Sequence, residues 1–274
     1  MSNKKEILTA PFVIETIRTC SNMYRLGWDE RNGGNISFML EEKDVAEYLD
    51  VNKAIRQIEV KFDARELLGK IFIVTGTGKY FKNVEFDPAK NLGIIRITGD
   101  GAKADVLWGF SDGGRPTSEL PAHLMSHIER LKIDPSHRVI MHTHSTNTLA
   151  MTYIHELSER AFTRTLWQMS TECIVVFPDG VGILPWMLCG NDEIGRATAK
   201  KMREFRLCVW AMHGIFGSGR DLDEAFGLIE TVEKGATIYM NIGGRKILNT
   251  IKDGELKILA EAFGVNYRKD YLDI

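Results

Sequence analysis

The chain has 274 residues and a mass of 31.0 kDa, which fits one large domain or two small ones. Its 35 Lys and Arg against 37 Asp and Glu give a formal charge of −2, which argues against nucleic-acid binding over a broad basic footprint. Apolar residues make up 44% and no run approaches the roughly 18 needed for a membrane span. Cys20, Cys173, Cys189 and Cys208 are scattered without a Cys-x-x-Cys pair, so neither a disulfide framework nor a thiolate zinc site is expected. The charged N-terminus leads into no apolar segment of the secretory kind. A soluble, cytoplasmic protein with reduced thiols is the expectation.

In chain order, residues 9–27 read as an opening helix. Thr9 is its expected cap, Pro11 suits its first turn, and Val13, Ile17, Cys20 and Tyr24 recur at helical spacing. Residues 29–35 read as a loop, and residues 36–40 as a short strand. Residues 41–70 are charged and aperiodic, which predicts a surface excursion. The apolar run 71–74 predicts a buried strand feeding the Gly-rich turn 75–79. Residues 91–97 and 104–108 predict two more strands. A helix is expected to start at 117–121, with Ser118 as cap, Pro121 in the first turn, and Leu120, Leu124, Ile128 and Leu131 as its buried stripe. Residues 138–144, 173–177 and 207–212 predict strands. Asp221 with Glu224 predicts a capping box on a long helix whose Leu222, Ala225, Phe226, Ile229, Val232 and Ala236 share a face. Helices and strands interleave without a regular βαβ rhythm, and no linker divides them. The expected fold is a single three-layer α/β/α domain over residues 1–274, with a central, largely antiparallel or mixed sheet.

The sharpest chemical signal is His142-Thr143-His144 on a predicted strand, where alternate side chains face the same way. Two imidazoles on one face can bite a metal, or can simply face solvent. A third ligand is needed, and His213 fits, since an apolar run delivers it to a Gly turn. A rival set, Glu119, His123 and His127, recurs at i, i+4 and i+8 on one helix face and is either a second metal site or a polar stripe. Glu119 lies at a helix N-terminus beside Thr117 and Ser118, where a carboxylate complements the helix dipole or serves as an acid/base. The loops Asn32-Gly33-Gly34-Asn35 and Thr75-Gly76-Thr77-Gly78-Lys79 offer N–H groups, hydroxyls and an ammonium. Each reads as a phosphate nest or an ordinary turn. Neither is a P-loop or a dinucleotide fingerprint, and no nucleophile elbow is present.

Taken in order, residues 27–35, 75–79, 116–123, 141–144 and His213 resemble the class II aldolase/adducin family. The resemblance extends over nearly the whole chain through residues 166–167, 170–173, 175–186 and 216–219, the last two blocks pointing to one ketose-phosphate branch. It implies one zinc ion per subunit on His142, His144 and His213, with Glu119 as acid/base. It implies a sugar-phosphate substrate whose phosphate meets Asn32, Gly33, Asn35, Thr77, Gly78, Thr117 and Ser118; Thr77 stands where the family often has Ser. Glu172 matches a carboxylate that reaches a neighbouring subunit's site in a cyclic homotetramer, where it would take a second acid/base role. The implied reaction is retro-aldol cleavage through a zinc-stabilised enediolate. A pentulose-phosphate epimerase or another sugar-phosphate aldolase keeps the same fold and metal. An adducin-like, metal-free interaction module is the third reading, and the retained histidines and Glu119 argue against it because such a module has no chemical need of them.

Overall fold

The computed structural model describes residues 4–274, so the first three residues of the charged N-terminus lie outside it. Its strands are β1 (Asn35–Leu40), β2 (Arg56–Glu59), β3 (Ile71–Thr75), β4 (Leu92–Thr98), β5 (Lys103–Gly109), β6 (Val139–Thr143), β7 (Gly182–Leu184), β8 (Leu207–Trp210) and β9 (Gly214–Gly219). They form one sheet in the order β2-β5-β4-β3-β1-β6-β9-β8-β7. Every neighbouring pair is antiparallel except β7 and β8, so the sheet is mixed. The helices are α1 (Pro11–Arg25), α2 (Glu42–Val45), α3 (Pro88–Asn91), α4 (Leu120–Ile133), α5 (Thr146–Ile154), α6 (Glu159–Met169), α7 (Thr171–Val176), α8 (Asp192–Met202), α9 (Leu222–Ile242) and α10 (Asp253–Ala262).

The strand sequences sort these helices into two layers. In β3, Ile71 and Ile73 join a core with residues of α1, α5, α6, α9 and α10, among them Val13, Met151, Leu166, Ile229 and Leu256. Phe72 and Val74 point the other way, onto Leu120, Leu124 and Ile128 of α4. A central strand covered on both faces reads as a continuous apolar run, which is why 71–74 shows no alternation. On that second face a separate cluster joins Ile140, Cys208, Trp210 and Phe216 to Ala122 of α4 and to Ile194 and Met202 of α8. Among the described residues no helix is long and apolar enough to cross a membrane.

Several local expectations are corrected. Thr9 closes a short 3-10 turn, its hydroxyl donating to the Glu6 carbonyl at 2.7 Å. The helix begins at Pro11, and its buried stripe shifts to Phe12, Val13, Thr16, Cys20 and Met23, leaving Tyr24 exposed. The apolar run 173–177 lies within and just beyond α7; a short apolar run suits either state, and here Ser170 precedes the helix while Phe177 and Pro178 end it. Asp221 caps α9 by accepting from the Glu224 N–H at 2.7 Å, but the Glu224 carboxylate turns to the Arg220 N–H, so the box is not reciprocal. Within residues 41–70, β2 supplies the outermost strand beside β5, while Val45, Val51, Val60, Ala64 and Leu67 are buried.

The packing of α9 on α5 encloses a buried carboxyl group. Glu233, 7% exposed, accepts from the backbone N–H groups of Asn147 (2.9 Å) and Thr148 (2.8 Å), the Thr148 hydroxyl (2.7 Å) and the Asn147 amide (2.9 Å). It thereby satisfies α5 donors that have no partner within their own helix. Hydrogen bonds to a charged group contribute more than neutral ones, so Glu233→Ala is expected to lower the unfolding free energy by about 2–3 kcal/mol. Urea titration measures this, and Glu233→Gln should lose less because it keeps one acceptor.

Candidate active site

β6 carries His142 on the same face as Ile140, opposite Asn35 of β1 and Phe216 of β9. The His142 ring stacks on Phe216, with centroids 4.4 Å apart and planes at 24°. Its Nδ1 lies 3.1 Å from the Ile215 carbonyl. A carbonyl only accepts, so Nδ1 carries the hydrogen and Nε2 presents a lone pair. That Nε2 is buried and has no partner. His144 follows the end of β6, with Nδ1 held by the Glu30 carboxylate at 3.0 and 3.1 Å, so its Nε2 is likewise free to accept. His213 sits in the turn between β8 and β9, its backbone N–H donating to the Trp210 carbonyl at 3.0 Å.

The three ring centroids lie 5.1–5.2 Å apart, and one nitrogen of each lies within 4.8 Å of the others. Burial holds His142 well below its ordinary pKa and lowers His213 to about 4. The orphaned His142 Nε2 and two Nδ1 atoms turned to outer partners are what metal-ligating imidazoles require. These residues fit a divalent ion.

Glu119 is the residue preceding α4, 9% exposed. Its Oε2 accepts from the Asn35 amide at 2.8 Å and lies 3.7 Å from His142 Nε2. Burial raises the Glu119 pKa, while the Asn35 hydrogen bond and then the nearby His144 oppose the rise. Ser118 does not cap the helix; the Thr117 hydroxyl accepts from the Glu119 N–H at 3.2 Å instead. The two Gly-rich loops and the Thr117-Ser118 segment converge on one cavity of about 280 Å³, lined also by Glu119, His142, His144 and His213. Two backbone bonds tie this lining together, Thr77 N–H to the Arg115 carbonyl and Thr117 N–H to the Thr75 carbonyl, each 2.9 Å. Gly34 is required by its backbone: φ is +73°, and a Cβ there would fall 1.7 Å from Asp29 Oδ1. A larger open groove of about 700 Å³ beside β2 and α8 is lined by mixed charges and holds none of these groups.

Asn32, Gly33, Asn35, Thr77, Gly78, Thr117, Ser118, Glu119, His142, His144 and His213 thus share one cavity. Glu172 does not line it; it is exposed in the first turn of α7 and accepts from the Ser170 hydroxyl at 2.7 Å. Lys79, expected to offer its ammonium to an anion, pairs with Asp112 outside this cavity. Asn35 directs its amide to Glu119 and His123. The rival set also resolves: His123 and His127 are fully buried, and their nitrogens bond Ser37, Asn35 and His137. Sequence reasoning missed Glu30 as the orienting group for His144, and Arg31 as the one Lys or Arg on the cavity wall among the described residues. Both lie inside the 27–35 segment, where the glycines drew attention first. Cys189 also reaches the wall, and no pattern marked it.

The Class II Aldolase and Adducin N-terminal domain family matches residues 14–240. The chain belongs to the class II aldolase and adducin family. Within the family it is 60% identical over 272 residues to the rhamnulose-1-phosphate aldolase of Listeria monocytogenes serovar 1/2a, covering 98% of this chain and 99% of that one. It is 56% identical over 270 residues to the enzyme of that name from Enterococcus faecalis, covering 97% and 96%. Among solved structures it is similar to a sugar-phosphate aldolase from Thermotoga maritima, with a TM-score of 0.74 at 26% identity over 86% of this chain and 97% of that one. An L-fuculose 1-phosphate aldolase shares the class II aldolase fold, with a TM-score of 0.60 at 20% identity over 93% and 97%.

The buried histidines of α4, with His137, are expected to make stability pH-dependent in this family member. Burial lowers His123 and His137 to about 3 and His127 well below its usual value. Below pH 6.5 the unfolded chain takes up protons that the folded chain refuses, so stability falls as pH drops. Unfolding free energy is expected to decline from pH 6.5 to 5, with a slope reduced by Asp29 and Glu119, whose buried carboxyls are raised and act in the opposite sense. Urea titrations across that range measure it, and a level profile would mean the histidines are not held neutral.

Proposed function

We propose that this chain is a metal-dependent aldehyde-lyase that cleaves L-rhamnulose 1-phosphate to dihydroxyacetone phosphate and L-lactaldehyde in L-rhamnose degradation. The observation that carries the reading is the near full-length likeness to rhamnulose-1-phosphate aldolases. The cavity supports it by joining three imidazoles, a buried carboxylate and two Gly-rich loops. His142, His144 and His213 would hold the ion, and three nitrogen donors suit zinc while leaving positions open for substrate. When bound, the ion supplies a Lewis acid for the ketose carbonyl and its neighbouring hydroxyl oxygen.

The protein's own groups do the rest. The N–H groups around Asn32, Gly33 and Gly78, with the hydroxyls of Thr77, Thr117 and Ser118, receive the substrate phosphate, and the exposed Arg31 supplies the positive charge that Lys79 does not. Breaking the C3–C4 bond leaves an enediolate whose C3 needs a proton, and Glu119 delivers it. In the reverse direction Glu119 takes a C3 proton from dihydroxyacetone phosphate. Its burial, opposed by the Asn35 hydrogen bond and by His144, suits a group that must both hold and release a proton. Glu172, exposed and away from its own subunit's cavity, is assigned to a neighbour's site in a homotetramer, where it accepts the C4 hydroxyl proton.

The test is cleavage by the metal-loaded protein, followed as dihydroxyacetone phosphate release with and without chelator, beside L-fuculose 1-phosphate and L-ribulose 5-phosphate. Chelator-sensitive turnover of the rhamnulose ester is expected. Glu119→Gln should retain the metal and lose about 100-fold or more in turnover and in proton exchange on dihydroxyacetone phosphate. His142→Ala should lose metal and activity together. Turnover of another ester in its place would move the substrate assignment, and neither turnover nor bound metal would end the enzyme reading. Coexpressing Glu119→Gln and Glu172→Gln subunits should restore activity at mixed interfaces; no restoration would remove the neighbour role of Glu172.

A further inference from the structure

Behind Glu119, leading away from the cavity wall at Asn35, the sheet face under α4 carries a continuous line of buried polar side chains. Asn35 and Ser37 project from β1 onto this face. His123 and His127, four residues apart on α4, lie over them, and His137 stands just before β6. Asn35 is 6% exposed, His137 2%, and Ser37, His123 and His127 are fully buried. Asn35 Nδ2 is 2.8 Å from Glu119 Oε2, and Asn35 Oδ1 meets His123 Nε2. His123 Nδ1 is 2.8 Å from the Ser37 hydroxyl, which is 2.8 Å from His127 Nε2. His127 Nδ1 is 2.9 Å from His137 Nε2.

The chemistry of these groups gives the line a direction. A carboxylate only accepts, so Asn35 gives it Nδ2 and turns Oδ1 to His123. His123 Nε2 must then carry a hydrogen. The ring is uncharged, held so by complete burial, and its Nδ1 is therefore an acceptor. Ser37 gives that nitrogen its single hydrogen, so its oxygen accepts from His127 Nε2–H. His127 Nδ1 in turn accepts from His137 Nε2–H. Every hydrogen in the line points toward Glu119. Reversing it would set Asn35 Oδ1 against the carboxylate, acceptor against acceptor. The Asn35 amide is thus held from both ends, by the carboxylate on its Nδ2 side and by His123 Nε2–H on its Oδ1 side.

We propose that His123, Ser37, His127 and His137 are positioning residues that lock the Asn35 amide as a donor to Glu119, and so hold the carboxylate in place for proton transfer. The inference rests on the acid/base role given to Glu119 above. None of the four meets substrate; they act through Asn35. A replacement at His123 removes the donor to Asn35 Oδ1 and frees the amide to turn.

His123→Leu is expected to lower turnover and proton exchange on dihydroxyacetone phosphate about 10–100-fold, the usual range for outer partners of a functional group. KM should stay within about twofold, since uniform substrate binding is untouched, and the bound metal should be retained. His123→Gln, whose amide N–H can stand where the ring Nε2–H stood, should regain most of the lost turnover. Unchanged turnover in His123→Leu, or a glutamine variant no better than leucine, would overturn the proposal. Nitrogen-15 NMR of the unaltered protein gives a readout that needs neither variant nor substrate. His123, His127 and His137 should all be Nε2–H tautomers, and an Nδ1–H tautomer at His123 or His127 would refute the direction of the line. If the unaltered protein cleaves no ketose phosphate, the proposed function fails while the tautomers still decide the line.

Discussion

The antiparallel pairing of β1 with β6 sets Asn35 opposite His142 and Ser37 opposite Ile140, and the other parts of the site are placed relative to that register. A slip of β1 by one residue against β6 would turn Asn35 and Ser37 onto the face packed by α9 and bring Ile36 beneath α4, while His142 stayed where it is. The register is pinned because both faces of these strands are covered. Ile36, Leu40, Val139 and Met141 belong to one core, while Met39 and Ile140 belong to the clusters opposite. Once it is set, the end of β6 delivers His144, the β8–β9 turn delivers His213, and α4 brings Glu119 to the same point. The side chains of the candidate site come from the strand ends and the helix start, and a rigid sheet fixes their spacing.

Glu119 sits between two opposing effects. Burial disfavours its charged form, and an ionised carboxylate out of water is costly unless it is partnered. Asn35 supplies that partner as a neutral donor. An arginine in its place would hold the carboxylate permanently ionised, a poor state for the acid/base role proposed for it. The neighbouring histidines keep to the same economy of charge: His142 and His213 on one side, and His123, His127 and His137 on the other, are all driven toward the neutral form by burial. The one cation on the cavity wall among the described residues, Arg31, lies on an exposed loop, where it can meet an anion.

Much of this was legible in the sequence, for physical reasons that also explain the gaps. Long amphipathic patterns identified α1, α4 and α9, and apolar runs bounded by turns identified β1, β3, β4, β5, β6 and β8. The gaps fall where the pattern is short or weak: β7 has three residues, β9 reads Gly-Ile-Phe-Gly-Ser-Gly, and β2 is a charged edge strand. Residues 173–177 read as a strand and fold largely as helix, because five apolar residues fit either period. In the site, His142, His144, His213 and Glu119 stand out because few residue types carry their chemistry. Periodicity put His123 and His127 on one face without revealing what that face meets. Only the three-dimensional pairing supplies Ser37, a residue that looks unremarkable on a strand, and only the fold turns Lys79 toward Asp112.

The same pairing explains why the α4 side of the sheet holds two apolar clusters instead of one. Phe72, Val74, Ile95 and Val106 pack under α4, and Ile140, Cys208, Trp210 and Phe216 pack toward α8. Asn35, Ser37, His123, His127 and His137 run between them as a polar seam. An apolar seam would be at least as stable, since buried polar groups gain little over hydrocarbon of the same shape. A partly satisfied seam would be worse, each orphaned group costing about 1–3 kcal/mol. The seam is therefore tolerable only when its hydrogens point one way and each link has its donor and its acceptor. That condition makes its geometry all-or-none, and it ends on the one carboxylate that lies 3.7 Å from His142. Stability alone does not call for such an arrangement, whereas the proton-transfer role proposed for Glu119 does.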